Sequence, residues 1–224
     1  MTTASARRIA LVTGASRGLG FAMAEELAAR GWHVVALART VGGLEDLDDR
    51  VKAKRQPGAG EMTLAPMDIT QDDALSHLCR SIHDRWGKLD LWVHAAIHAA
   101  PLAPAPFIDQ KDWDKSVAIN ARATGILIPM VEPLLQAAET RATAMFLDDP
   151  RAGEMYFGAY GASKAAQMAL ARSWQKETAK VGPRVLIATP APMATATRAR
   201  FFPGEDRAAL ADIGAEAARL VDLI

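Results

Sequence analysis

The chain of 224 residues has a single cysteine, Cys79, so no disulfide can close within it, and no zinc-type Cys/His spacing surrounds that residue. A reducing compartment, the cytoplasm, is the expectation, and no metal site is. Net charge is also missing: 26 Lys and Arg balance 26 Asp and Glu, so no overall field draws the chain to nucleic acid or an anionic membrane. Long apolar runs are absent, since no stretch approaches the roughly 20 residues of a membrane span. The run Ile9 to Val12 after Arg7 and Arg8 is cut short by Thr13-Gly14, too early for an export signal. No internal repeat or low-complexity linker stands out. What remains points to a small-molecule ligand, with no nucleic acid and no membrane as partner. Half of the residues are hydrophobic, enough to bury a substantial core, and residues 1–224 read as a single domain.

Strand-like runs alternate with amphipathic segments along the whole chain. "RIALVTG" precedes the helix "GFAMAEELAARG"; "HVVALAR" precedes a charged helix to about Lys54; the loop "RQPGAGE" leads to "MTLAPMDIT". From Gln71 to Gly87, apolar Ala74, Leu75, Leu78, Ile82 and Trp86 recur at helical spacing. "LDLWVHAA", a long helix from about Lys111 to Ala138, "ATAMFLD", a helix opening on "YGASK", "RVLIATP" and a last helix in the tail complete the series. Short buried strands separated by helices require a parallel sheet covered on both faces. The expected architecture is a doubly wound Rossmann sandwich of three layers.

Strand "IALV" runs into "TGASRGLG", with glycines at 14, 18 and 20, and a helix begins at once. Such a turn lets backbone N–H groups approach a pyrophosphate at a helix N-terminus, where the dipole favours negative charge. The alternative is a tight turn serving only close packing. About 20 residues beyond such glycines, an NAD-type site places an acidic residue on the ribose 2′-OH. Here that place holds Arg39, and Arg17 lies inside the turn. Guanidinium forks suit a phosphate, so NADP(H) is favoured over NAD(H); the competing reading makes both arginines solvated surface groups.

With "TGASRGLG", "MDIT", "LDLWVHAA", "VAINARATG", "YGASK" and "TPAPMAT" in this order, the chain resembles the short-chain dehydrogenase/reductase family, in its smaller classical-type subgroup, over nearly its whole length. The resemblance implies that Tyr160 and Lys164 form the catalytic pair and that Asn120 holds a water for proton relay. It implies that Gly14, Ser16, Arg17, Gly18, Leu19 and Gly20 cradle the dinucleotide, with Arg39 at the ribose phosphate and Asp68 and Ile69 beside the adenine. It also implies that Ala95, Tyr160, Lys164 and Pro190 meet the cofactor further along and that Thr195 contacts the nicotinamide carboxamide. Tyr160 and Lys164, four apart on a helix, share a face. A nearby ammonium favours the tyrosinate, lowering a phenol pKa that starts near 10. Such a tyrosine exchanges a proton with an alcohol or carbonyl while hydride moves to or from the nicotinamide.

Three departures stand against that resemblance. The family's N-N-A-G reads His94-Ala95-Ala96-Ile97, where His94 either replaces an asparagine hydrogen bond or is a core histidine with a satisfied ring, and Ile97 adds bulk. The P-G motif reads Pro190-Ala191. In the region of the family's serine stand Leu147, Asp148 and Asp149, the nearest hydroxyls being Thr143 and Tyr156. An ionised carboxylate only accepts hydrogen bonds. About 4 Å from a developing alkoxide, at an effective dielectric near 20, it costs roughly 4 kcal/mol, or about three decades in rate. Ordinary ketone chemistry is then slow, unless the aspartates face away or the substrate carries a donor or positive group. Asp148 joins the candidate catalytic set on this ground.

A substrate-loop segment is expected at about 191–210, where Arg198 and Arg200 could meet an acidic substrate or cofactor phosphate, and Phe201 and Phe202 anchor the loop apolarly. Family members continue into a seventh strand after the last helix, whereas this chain stops at Ile224. Six strands are therefore expected, with a homodimer through helices 111–138 and 160–180. The leading functional expectation is an NADP(H)-dependent oxidoreductase acting on a small carbonyl or alcohol; the alternative is a nucleotide-binding protein of the same fold with little redox turnover, a sensor or interaction partner.

Overall fold

The computed structural model describes residues 7–54 and 56–224. The first six residues, where the export-signal reading begins, and Arg55, which opens the expected loop after the second helix, lie outside the described residues.

Six strands form one parallel sheet: β1 Ile9–Thr13, β2 His33–Ala38, β3 Met62–Pro66, β4 Leu91–His94, β5 Thr143–Leu147 and β6 Arg184–Ala188. The order is β3-β2-β1-β4-β5-β6, so the winding reverses between β1 and β4. Every residue of β1, β2, β4 and β5 is buried, which is why these strands read as apolar runs without alternation. This is the doubly wound Rossmann-type arrangement expected.

Helices α1 Gly18–Ala29, α2 Val41–Ala53, α3 Asp72–Trp86, α4 Gln110–Ser116, α5 Ala123–Gln136, α6 Gly158–Glu177, α7 Ala196–Phe201 and α8 Ile213–Val221 complete the chain. One core, with Leu27, Leu44, Leu47 and Leu220, lies between the sheet and α1, α2 and α8. The other sets Leu75, Ile82, Leu127, Leu135, Met168 and Trp174 of α3, α5 and α6 against the opposite face, around Trp92 and Phe146. The boundaries of α3 follow from local chemistry. Asp72 and Asp73 favour its first turn, and Gly87 at φ +72° closes its end in the left-handed conformation.

The long helix expected from 111 to 138 is interrupted. Between α4 and α5 the backbone passes through a π-helical segment, Val117–Arg122, which buries Ile119 and Asn120. The extra residue in that turn rotates Asn120 toward the loop after β4. Asp109 caps α4 by accepting from the backbone N–H groups of Lys111 and Asp112.

Candidate active site

The C-terminal ends of β1 and β4 part at the reversal of strand order, the place where open α/β sheets bind ligands. A cleft of about 670 Å³ opens there. Its walls include Gly14, Ser16, Arg17, Gly18, Leu19, Gly20, Arg39, Asp68, Ile69, Ala95, Asp148, Tyr160, Lys164, Pro190 and Thr195, and also Ile97. Asn120 is not among the lining residues.

The glycines of the first turn are spatial requirements. Gly14 has φ +81°, and a Cβ there would come within 2.6 Å of the Ala96 nitrogen. Gly18 has φ +60°, and a Cβ at Gly20 would strike the Gly14 carbonyl oxygen. The turn is thus bare backbone pressed against the loop after β4, with the α1 N-terminus facing the cleft. Arg17 and Arg39 are exposed at its rim, and an Arg39 guanidinium nitrogen lies 3.7 Å from an Asp68 carboxylate oxygen.

His94 resolves in favour of a satisfied core histidine. It is 2% exposed, its Nδ1 lies 2.7 Å from Thr13 Oγ1 and its Nε2 2.9 Å from Thr124 Oγ1. Two hydroxyls, each able to donate or accept, match a neutral imidazole. Burial, reinforced by the Lys164 ammonium, pushes His94 down to about 3. Thr124 also accepts from Gln167 Nε2, and Gln167 Oε1 accepts from Lys164 Nζ. A buried polar chain therefore runs from the end of β1 to the lysine.

Asn120 is fully buried and works as a clamp: its side-chain oxygen accepts from the His98 N–H at 2.6 Å, and its amide nitrogen donates to the His98 carbonyl and to Ser163 Oγ, both at 2.9 Å. Ile97 packs with Phe157, Tyr160 and Phe201 in a small apolar cluster, where Phe202 also seats. The Phe pair anchors its loop apolarly, as expected.

The aspartates part company. The Asp148 carboxylate accepts from Arg172 at 3.0 Å and from the Asp149 N–H. Asp149 instead accepts the Tyr160 hydroxyl on Oδ2 at 2.9 Å and Arg151 Nε on Oδ1 at 2.9 Å. The expectation that named Asp148 thus moves by one residue: the carboxylate at the tyrosine is that of Asp149. The hydroxyl of Tyr156 belongs to a half-exposed residue at φ +72°, and Thr143 begins β5, at the far end of the strand.

The expected electrostatic coupling of Tyr160 to Lys164 is also corrected. Burial raises the Tyr160 phenol above its ordinary value, and the Asp149 carboxylate raises it further. Burial lowers Lys164 to about 8 against the opposing pull of Asp148 and Asp149. Although the two residues share a helix face, the hydroxyl is spent on Asp149 and the ammonium on Gln167.

Arg151, which sequence reasoning did not single out, ties the site together. Besides Asp149, its guanidinium lies 5.4 Å from the ring centre of Phe157 and 4.7 Å from that of Phe202. Its charge complementarity at two residues from Asp149 was the available signal. Arg198 also lies over the Phe202 ring, 4.4 Å from its centre, and forms a forked pair with Glu205, while Arg200 donates to the Ala99 carbonyl. Both loop arginines are thereby engaged within the chain. Gln167 was missed as well, though it stands one helical turn beyond Lys164.

A parallel six-stranded sheet with a bare glycine turn, and a tyrosine and a lysine of α6 on the same cleft, defines a Rossmann-type protein of dinucleotide-binding shape. The sequence model of the short chain dehydrogenase family matches residues 8–206, and the chain belongs to that family. It is similar to a fatty acyl-CoA reductase of Acinetobacter baylyi, 28% identical over 175 residues that make 77% of this chain and 58% of that protein. An uncharacterized oxidoreductase of Listeria innocua is 29% identical over 194 residues, 85% of this chain and 75% of that protein. Among solved structures, a short chain dehydrogenase from Pseudomonas syringae superposes with a TM-score of 0.85 at 28% identity, covering 93% of this chain and 85% of that one. One from Shigella flexneri complexed with NADP gives 0.84 at 27%, covering 92% and 86%. One from Escherichia coli complexed with NADPH gives 0.85 at 27%, covering 96% and 88%.

Proposed function

We propose that this protein is an NADP(H)-dependent oxidoreductase moving hydride between the nicotinamide and a small carbonyl or alcohol. The observation that carries the reading is the meeting of Tyr160 and Lys164 with the glycine turn in one cleft. The residues fit the dinucleotide: Gly14, Ser16, Gly18, Leu19 and Gly20 offer backbone at a helix N-terminus to the pyrophosphate, and Arg17 and Arg39 offer guanidinium forks to the ribose 2′-phosphate. Asp68 and Ile69 would flank the adenine, and Ala95, Pro190 and Thr195 the nicotinamide half. NADP in the Shigella relative and NADPH in the Escherichia relative support the same choice.

When bound, the dinucleotide would supply or receive hydride at the nicotinamide. Tyr160 would exchange the proton at the substrate oxygen, which first requires its hydroxyl to leave Asp149. Lys164, held by Gln167, would keep positive charge beneath the reacting centre, and Asn120 would shape the loop beside it through His98. Arg151 shares the Asp149 charge and so softens its penalty on a developing alkoxide.

We read residues 1–224 as one domain whose 191–210 segment shapes substrate access, and we place the protein in the cytoplasm, a reading that the lone free thiol of Cys79 supports. A homodimer through helices 111–138 and 160–180 is supported by the exposed Trp113, Val117 and Leu170 on those helices. Its test is light scattering.

The functional test is a titration of NADPH and NADH by fluorescence, followed by absorbance assays with a panel of small carbonyls. NADPH binding with turnover sustains the reading. Binding without any turnover selects the sensor role, and a preference for NADH overturns the argument from Arg17 and Arg39.

A further inference from the structure

Around Tyr160 the donors nearest the reacting position are largely committed to partners within the chain, and the carboxylate of Asp149 stands among them. The Tyr160 hydroxyl commits its proton to Asp149 Oδ2, leaving its oxygen lone pairs for a ligand. Asp149 has only acceptor atoms. Lys164, whose ammonium lies at the cleft, is buried and donates to Gln167. Arg151 donates Nε to Asp149, and its guanidinium carbon lies over the rings of Phe157 and Phe202. Arg198 is forked onto Glu205. A ketone brings a second acceptor to the tyrosine, and Tyr160 donates to it only after the Tyr160–Asp149 bond is broken. A substrate whose reacting atom is itself a donor docks with every one of these bonds intact.

From this arrangement we infer that the enzyme reduces carbon–nitrogen double bonds in preference to carbonyls, taking a small protonated imine whose N–H⁺ donates to Tyr160 Oη and Asp149. The inference rests on the NADP(H) oxidoreductase reading and changes its preferred substrate from a carbonyl to an imine. The iminium carbon accepts hydride, the C=N π pair becomes the lone pair of the amine nitrogen, and the reduced nicotinamide dinucleotide is oxidised. The nitrogen keeps its proton throughout, so Tyr160 need not release its own. Asp149 favours binding of the cation and meets no developing oxyanion, so the penalty that a carboxylate imposes on ketone reduction does not arise. The buried phenol, raised by its surroundings, agrees with a hydroxyl that keeps its proton. The wall formed by Ile97, Phe157 and Phe201 suits the hydrocarbon part of such a substrate.

The test uses the full chain with NADPH, comparing the cyclic imine 2-methyl-1-pyrroline with cyclopentanone, and calorimetry of pyrrolidinium against cyclopentanol on the protein with NADP⁺. The expected result is a kcat/KM at least about a hundredfold higher for the imine, with pyrrolidinium the tighter ligand. Asp149→Asn should weaken pyrrolidinium by about tenfold or more, and Asp149→Ser should lower imine turnover while raising that of the ketone. Preference of the natural protein for cyclopentanone overturns the inference without needing a variant, as does pyrrolidinium affinity that Asp149→Asn leaves unchanged. Loss of ketone turnover in Arg151→Ala, with ketones preferred, would make Arg151 an oxyanion donor and overturn it too. NADPH binding with neither probe bound nor reduced overturns the inference and leaves the oxidoreductase reading to the carbonyl panel, whereas failure to bind NADPH overturns both.

Discussion

Tyr160 donates its hydroxyl to Asp149 across 2.9 Å, and that carboxylate is in turn held by Arg151 at the same distance. A proton donor and an accepting carboxylate are thus locked together at the wall of the cleft, and the chemistry of the site depends on which of them a substrate engages.

Tyr160→Phe removes the hydroxyl and keeps the ring in its contacts with Phe157 and Phe201. For a carbonyl substrate, turnover should fall by about 10² to 10⁴, the usual worth of a positioned acid or base. For a protonated imine the loss should be nearer about tenfold, since only a hydrogen-bond acceptor disappears. NADPH affinity should change little in either case. Steady-state rates with both substrate classes, together with a fluorescence titration, check this.

Lys164→Met should raise stability while abolishing carbonyl turnover. Burial holds the folded-state pKa at about 8, below the ordinary 10.5, so the unfolded chain binds the proton more tightly. The contribution of this group to stability is therefore complete above about 10.5, declines as pH falls toward 8 and stays low below that. Replacing the lysine lifts this cost at neutral pH, offset in part by the orphaned Gln167 Oε1. A net gain on the order of 1 to 2 kcal/mol is expected from urea unfolding at pH 7. A loss of stability would show that the ammonium is better compensated than its surroundings indicate.

His94→Asn should flatten the acid limb of the stability curve. The folded imidazole stays neutral down to about 3, whereas the unfolded one protonates near 6.5. Stability from this group is complete above 6.5 and is lost as pH falls toward about 3, by an amount on the order of 5 kcal/mol. The difference between natural protein and variant, followed by urea midpoints from pH 7 to 4, isolates His94 from His33 and His98. An unchanged slope would mean that the ring is charged in the folded state.

Arg17→Ala and Arg39→Ala should each weaken NADPH by about tenfold and leave NADH nearly untouched, because a guanidinium gains only where the extra phosphate is present. Arg39 should respond to salt, being exposed and already near Asp68. Equal losses for the two cofactors would place both arginines elsewhere than at the 2′-phosphate.

The fold was legible because it rests on local signals. Buried parallel strands such as "IALV" are apolar throughout, helices such as α3 carry their apolar residues every third or fourth position, and Gly14 and Gly20 stand where a side chain would meet backbone. The residues around the cleft could be named for the same reason: in a parallel sheet, every strand delivers its following loop to one edge. The π-helical turn at Asn120 was not legible, since nothing in "VAINAR" breaks the helical pattern.

Composition and order along the chain thus determined the sheet, its covering helices and a glycine turn suited to a dinucleotide. Tertiary structure alone decided what the polar residues of the cleft do. β5 ends at Leu147, so the alternation that would aim Asp148 and Asp149 stops just before them, and their directions follow from Arg172 and Arg151. His94 became a core residue only because β1 and α5 bring Thr13 and Thr124 to its two nitrogens from 81 and 30 residues away. The Tyr160 hydroxyl donates to Asp149 for the same physical reason: hydrogen-bond partners are chosen by proximity in space, and only packing brings these groups together.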